Sequence, residues 1–195
     1  GVYHVLLGEA DIQAAKIHSQ AGGYDLLAAN RELAGAEVEL VQEIAREMRL
    51  KNALALVADD YDYILIDCPP TLTLLTLNGL VAADGVLVPM VCEYYALEGI
   101  SDLVATVRKI RTAINAKLGI FGIVRTLYNN QNRLAQDVST QLQEHFGAQL
   151  FATTIPRNVR LAEAPSHGLP ALAYDAKAKG TLAYLELADE VLARK

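Results

Sequence analysis

Tryptophan is missing from this sequence and cysteine nearly so, with two in 195 residues, Cys68 and Cys92. Two cysteines without metal-ligand spacing exclude a disulfide framework and a zinc-finger site, and they fit a reducing, cytoplasmic compartment. The four histidines, His4, His18, His145 and His167, are too scattered to pair as metal ligands. No apolar run is long and charge-free enough to span a bilayer. The opening Gly1-Val2-Tyr3-His4 shows no basic stretch leading into an apolar one, so no signal peptide is expected. The phosphate-binding pattern G-x-x-x-x-G-K-[ST] is absent, as is any Gly-Lys pair. Neither G-x-G-x-x-G nor G-x-S-x-G occurs, which removes the dinucleotide fingerprint and the serine-hydrolase elbow.

What is present suits one well-packed domain over 1–195, with a hydrophobic fraction of 52%. The net charge of −6 hides an asymmetry. Residues 1–100 hold 5 Lys and Arg against 15 Asp and Glu, while 101–195 hold 12 against 8. A basic second half is a hint of a surface that meets polyanions, although from composition alone charges clustered on solvated helix faces account for it better.

The chain alternates strand and helix. Residues 2–18 read as short helical turns, 24–28 as a brief strand and 33–58 as a helix rich in Ala, Glu, Leu and Arg. Tyr61 to Asp67 is an apolar, β-branched and aromatic run stopped by Cys68-Pro69-Pro70, which predicts a buried strand over 62–67. Further strands are expected at 85–91, 120–127 and 151–155. Between them lie a helix over 96–115, with Leu97, Ile100, Val104, Val107, Ile110 and Ile114 on one stripe, and another over 133–146. A last helix is expected near 177–193. Connections of this length are crossovers rather than hairpins. The expected fold class is therefore α/β, three-layered, with a mostly parallel sheet covered by helices on both faces. Ligands in such sheets sit at the carboxyl ends of strands, which draws attention to Asp67, Cys92-Glu93, Tyr128-Asn129 and Pro156-Arg157-Asn158. A carboxylate placed like Asp67 either supports magnesium in a nucleotide hydrolase or caps the following helix. Cys68 reads as a small packed residue rather than a nucleophile.

Three separated segments, in order, carry a resemblance. Tyr61 to Leu72 (YDYILIDCPPTL), Cys92 to Gly99 (CEYYALEG) and Ile155 to Gly168 (IPRNVRLAEAPSHG) are similar to motifs of the ParA/Soj partitioning ATPases. Leu33 to Leu40 (LAGAEVEL) and the stretch from Tyr174 to Ala188 continue it. The resemblance implies a P-loop-type nucleotide hydrolase that binds ATP with Mg2+, dimerises around nucleotide and binds DNA without sequence specificity. It implies a ParB-type partner, a nucleoid-associated cytoplasmic location and no membrane. By the same resemblance Asp67 supports the magnesium shell, Pro156, Arg157 and Asn158 lie beside the adenine, and Asn129 contributes to base recognition. Arg160, with Arg133 in looser register, would contact DNA. Family members open with a strand, a K-G-G-V-G-K-T-T-type loop, a helix and a second strand, and this sequence starts beyond them. The expectation is thus a truncated member missing its first βαβ unit, inactive alone. Two alternatives stand beside it: a MinD-like positioning ATPase, and a non-enzymatic adaptor that keeps DNA or partner binding.

Overall fold

The computed structural model describes residues 1–194. The chain forms two compact units, one comprising residues 1–85 with 108–119, the other running from 86 to 107 and from 120 onward.

In the first unit, helix α1 (Val2–Leu7) ends at Gly8, whose φ of 77° suits a residue without a Cβ. Helix α2 (Ile12–Ala15) starts at Asp11, whose carboxylate accepts from the Gln13 N–H. Strands β1 (Ile17–Ser19) and β2 (Tyr24–Leu26) form an antiparallel hairpin turned at Gly22-Gly23. Thus the brief strand expected at 24–28 exists, but it pairs within a local hairpin. Its partner begins inside the segment 2–18 that reads as helical turns, so Ile17 and His18 are strand rather than helix.

Helices α3 (Leu33–Leu40), α4 (Arg49–Leu54) and α5 (Leu74–Ala82) complete this unit with residues 108–119. The single helix expected over 33–58 is interrupted. Ala45 takes a left-handed φ of 52°, and the chain reverses there. The reversal lets Leu40 of α3 and Leu50 of α4 share one core with Leu6 and Ala36. Buried Asn78 of α5 holds the reversal: its Oδ1 accepts from Leu50 N–H at 3.1 Å, and its Nδ2 donates to the Arg46 carbonyl at 2.9 Å. Asn115 donates to the carbonyls of Leu80, Val81 and Ala83, satisfying the end of α5.

The expected strand at 62–67 is not formed. The segment has no regular secondary structure, and no described residue pairs with it in a ladder. Leu65 is 91% exposed and Tyr63 53%. Its apolar, β-branched sequence favours extended backbone, yet a strand also needs a neighbour to accept its hydrogen bonds.

The second unit is built on a parallel sheet in the order β3 (Val86–Val91), β4 (Ile120–Tyr128), β5 (Leu150–Pro156). One face carries Val88, Met90 and Ile123 against helix α6 (Ala96–Ala113) through Ile100, and α7 (Arg133–Phe146) through Val138 and Leu142. The other face carries Val124, Phe151 and Ile155. After α8 (Val159–Glu163) and α9 (Ala171–Tyr174), helix α10 (Lys179–Ala193) covers that face with Ala183 and Leu187. Alternate side chains of the strands thus feed two cores, and the architecture is the three-layer α/β arrangement. At Gly122 a Cβ would lie 2.2 Å from the Phe151 ring, so this glycine makes room for the fully buried phenylalanine.

Candidate functional site

In the second unit the three parallel strands end at one rim. Tyr128 of β4 is in register with Pro156 of β5. The residues that follow, Asn129 on one side and Arg157-Asn158 on the other, therefore leave adjacent strands at the same edge. The structure brings together four of the sequence-derived candidates in this way: Asn129, Pro156, Arg157 and Asn158.

Local hydrogen bonds shape both loops. Asn129 Oδ1 accepts from the Gln131 N–H at 2.9 Å, and Asn132 caps α7 by accepting from Ala135 N–H. Asn158 is the N-cap of α8, its Oδ1 accepting from the N–H groups of Arg160 (3.0 Å) and Leu161 (3.3 Å). Leu127 has a φ of 49°, a left-handed conformation that costs a branched side chain energy. That kink sits one residue before Tyr128, at the rim itself.

Arg125 escaped the sequence reading. It lies in β4, half-buried, and its guanidinium donates to Ser139 Oγ at 2.8 Å and to the carbonyls of Phe151 and Ala152. The same group lies 5.6 Å from the centre of the Tyr128 ring. One charged side chain thus ties α7, β4 and β5 together behind the rim, although its buried Nε has no partner among the described residues. A lone arginine in the apolar run GIFGIVRTL was the available signal.

Asp67 belongs to the first unit and follows the unpaired segment from residue 62. It is exposed, and no hydrogen bond or ion pair within the described residues engages its carboxylate. It caps no helix; Thr73 does that for α5. Next to it, Cys68 packs so closely on α5 that a Cβ at Gly79 would lie 2.7 Å from the Cys68 sulfur. Burial, and then the Asp67 charge, push the Cys68 thiol up, away from thiolate chemistry. No cluster of three or more His, Cys, Asp or Glu among the described residues could hold a metal ion. Asp67 therefore fits a magnesium ion only of the kind held by one carboxylate, with phosphate and water completing its octahedron.

Arg160, on α8, is not a free cation. Its Nη1 lies 2.9 Å from Glu163 and its Nε 3.5 Å from Asp175. Tyr174 donates to Glu163 at 3.1 Å and stacks on His167. Arg133, at the start of α7, is exposed and forms no ion pair within the described residues.

An AAA-domain family matches residues 1–120. The chromosome-partitioning ATPase Soj of Treponema pallidum is 48% identical over 193 residues, covering 99% of this chain and 76% of the relative. The chromosome partitioning protein ParA of Caulobacter vibrioides is 44% identical over 196 residues, covering 100% of this chain and 73% of the relative. Among solved structures, cobyrinic acid a,c-diamide synthase of Mycobacterium smegmatis, with a bound ATP analogue and magnesium, superposes with a TM-score of 0.82 at 36% identity. That match covers 98% of this chain and 71% of the other. The cell division ATPase MinD of Pyrococcus furiosus matches at a TM-score of 0.75 over 98% of this chain and 75% of the other, at 24% identity, a likeness of fold alone.

Proposed function

The chain belongs to the ParA/Soj family of chromosome-partitioning ATPases, and on that premise we propose that it carries the base-binding and magnesium-supporting parts of an ATP site. The observation that carries this reading is the register of Tyr128 with Pro156, which sets Asn129 beside Pro156-Arg157-Asn158 at the carboxyl rim of a parallel sheet. In this reading those loops hold the adenine, and Asp67 holds a water of the magnesium shell. Magnesium, when bound, offsets charge on the transferred phosphoryl group. The remaining requirement, a cradle of backbone N–H groups with a lysine, corresponds to no segment of the 195 residues. The chain alone therefore binds ATP weakly and does not turn it over. In the same reading the protein acts with a ParB-type partner, dimerises around nucleotide and binds DNA non-specifically, with Arg133 and Arg160 as candidate contacts. Its place is then on the nucleoid. No helix among the described residues is long and apolar enough to cross a membrane.

The test is a titration of the isotope-labelled chain with AMP, followed by amide resonances. Shifts confined to residues near 129 and 156–158 are expected. An unperturbed rim would remove these residues from the site. In a chimera that supplies a phosphate-binding loop, Asp67→Ala should lower magnesium-dependent ATP hydrolysis at least tenfold, and an unchanged rate would remove Asp67. A second reading, an adaptor that binds DNA or a partner without hydrolysis, is favoured by the missing G-x-x-x-x-G-K-[ST] pattern. Turnover by the chain itself, abolished by Asp67→Ala, would exclude it.

A further inference from the structure

We infer that Arg125 is a positioning residue for the proposed base site, because it holds the bulged stretch of β5 that sets Pro156 opposite Tyr128 at the rim. This rests on the proposed base binding and deepens it by naming the side chain that fixes the geometry of the site.

Strands β4 and β5 do not run in step. Their paired residues are Ile123 with Leu150, Arg125 with Thr154, and Tyr128 with Pro156. Between the first two pairs, Val124 alone faces Phe151, Ala152 and Thr153. Between the last two, Thr126 and Leu127 face Ile155 alone. Unequal spans of this kind are β-bulges, which bend a strand and re-aim the side chains beyond it. The two irregularities are opposite in sense, and Arg125 stands between them. Together they decide that Tyr128 is level with Pro156, and hence that Asn129 leaves beside Arg157-Asn158.

Backbone groups in a bulge lose regular ladder partners and need others. Arg125 supplies them on the carbonyl side. Its Nη2 donates to the carbonyls of Phe151 and Ala152, at 2.8 and 3.0 Å, while its Nη1 donates to Ser139 Oγ of α7 at 2.8 Å. On the amide side, Glu190 of α10 accepts from Ala152 and Thr153. The Arg125 guanidinium also lies 5.6 Å from the Tyr128 ring centre, so it attracts the rim residue directly. Leu127, in the second irregularity, has a φ of 49°. A strained residue persists only where its surroundings fix it, and such residues gather at binding sites.

Stability alone does not explain this arginine. Its buried Nε has no partner among the described residues, an arrangement that costs free energy. An apolar side chain in the same strand avoids that cost. Arg194 offers the comparison. It joins the same two strands at their other end, donating to the carbonyls of Phe121, Gln149 and Leu150. That end is opposite the rim, so losing Arg194 weakens the sheet without disturbing the site.

The experiment is the AMP titration followed by amide resonances, on the unaltered chain, Arg125→Met, Arg125→Lys and Arg194→Met. It is run at a temperature where circular dichroism shows each variant folded. Arg125→Met should weaken AMP binding about tenfold. It should also remove the nuclear Overhauser contacts between Tyr128 and Pro156, while those between Ile123 and Leu150 persist. Arg125→Lys keeps the charge without the planar fork that spans two carbonyls, and should weaken AMP about threefold. Arg194→Met should lower the melting temperature and leave AMP affinity unchanged. Unaltered affinity in Arg125→Met, or in Arg125→Lys where the methionine variant is misfolded, would overturn the inference and leave the base reading standing. Equal losses in Arg125→Met and Arg194→Met would make the arginine a general support of the sheet and overturn the inference too. An unaltered chain whose residues 129 and 156–158 ignore AMP would overturn both.

Discussion

The Tyr61 hydroxyl donates a 2.5 Å hydrogen bond to the Asp25 carboxylate, fastening the β1–β2 hairpin to the start of the segment that leads to Asp67. His18 Nδ1 lies 2.8 Å from the same carboxylate and Lys16 Nζ 3.5 Å. Tyr61, then His18, then Lys16 favour the ionised form, and together they hold Asp25 at about 2, below its ordinary 3.8. A carboxylate whose folded-state value is depressed stabilises the fold above its unfolded-state value. That contribution disappears as pH falls through the folded-state value. The window is therefore about pH 4 to 2. Asp25→Asn should lose stability at neutral pH and lose less of what remains between pH 4 and 2 than the unaltered chain. Denaturant midpoints across that range test this, and parallel curves for the two proteins would refute it.

Gly79 and Cys68 touch where the Asp67 segment meets α5. A Cβ at position 79 would stand 2.7 Å from the Cys68 sulfur and 3.4 Å from Ile66. Gly79→Ala should destabilise the chain by about 1–3 kcal/mol, the usual cost of overpacking. The clash is with one atom that a second substitution removes. Cys68→Ala should thus recover more than half of that loss, giving a favourable coupling between neighbours. Additive losses in the double variant would show that the strain lies in the α5 backbone instead.

Periodicity revealed the sheet of the second unit because each of its strands is a buried run with a neighbouring strand to pair with. Strands expected at 85–91, 120–127 and 151–155 all formed, and the stripe on α6 buries Ile100 and Val107. Local preference misled where structure depends on something non-local. Tyr63 and Leu65 have strand chemistry but no ladder partner, and Ala45 breaks a helix that composition favours. The rim was legible from strand ends alone, since Tyr128 and Pro156 stop their strands together. Arg125 was not, because its value lies in three partners spread over α7 and β5.

Strand β5 lies at an edge of its sheet, and α10 closes that edge with one side chain. Glu190 accepts from the Ala152 N–H at 2.9 Å and the Thr153 N–H at 2.6 Å. Burial alone would push this carboxyl up. The Thr153 and Ala152 bonds and the Arg194 charge outweigh it and hold the group below its usual range. Glu190→Gln keeps an acceptor for one N–H and should cost about 1 kcal/mol. Glu190→Ala exposes both N–H groups and should cost about 2 kcal/mol. The alanine variant should also associate more at high concentration, since uncovered edges pair with other chains. Sedimentation velocity and thermal melts check the two effects separately.

Asn158 holds two positions at once, the cap of α8 and the loop proposed to lie beside the adenine, and these are separable. The cap uses only Oδ1, which accepts from two N–H groups. Aspartate supplies the same acceptor and is as good an N-cap, whereas alanine supplies none. Asn158→Ala should therefore lose about 1 kcal/mol of stability, and Asn158→Asp almost nothing. Base recognition follows a different rule. Aspartate has no amide donor and places a negative charge next to the nucleotide, so both variants should diminish the AMP-induced shifts at residues 129 and 156–158. Melting curves read the cap, and the AMP titration reads the site. If Asn158→Asp melts like the unaltered chain and keeps its full response to AMP, then Asn158 is a helix cap only, and Asn129 or the backbone of Arg157 must recognise the base.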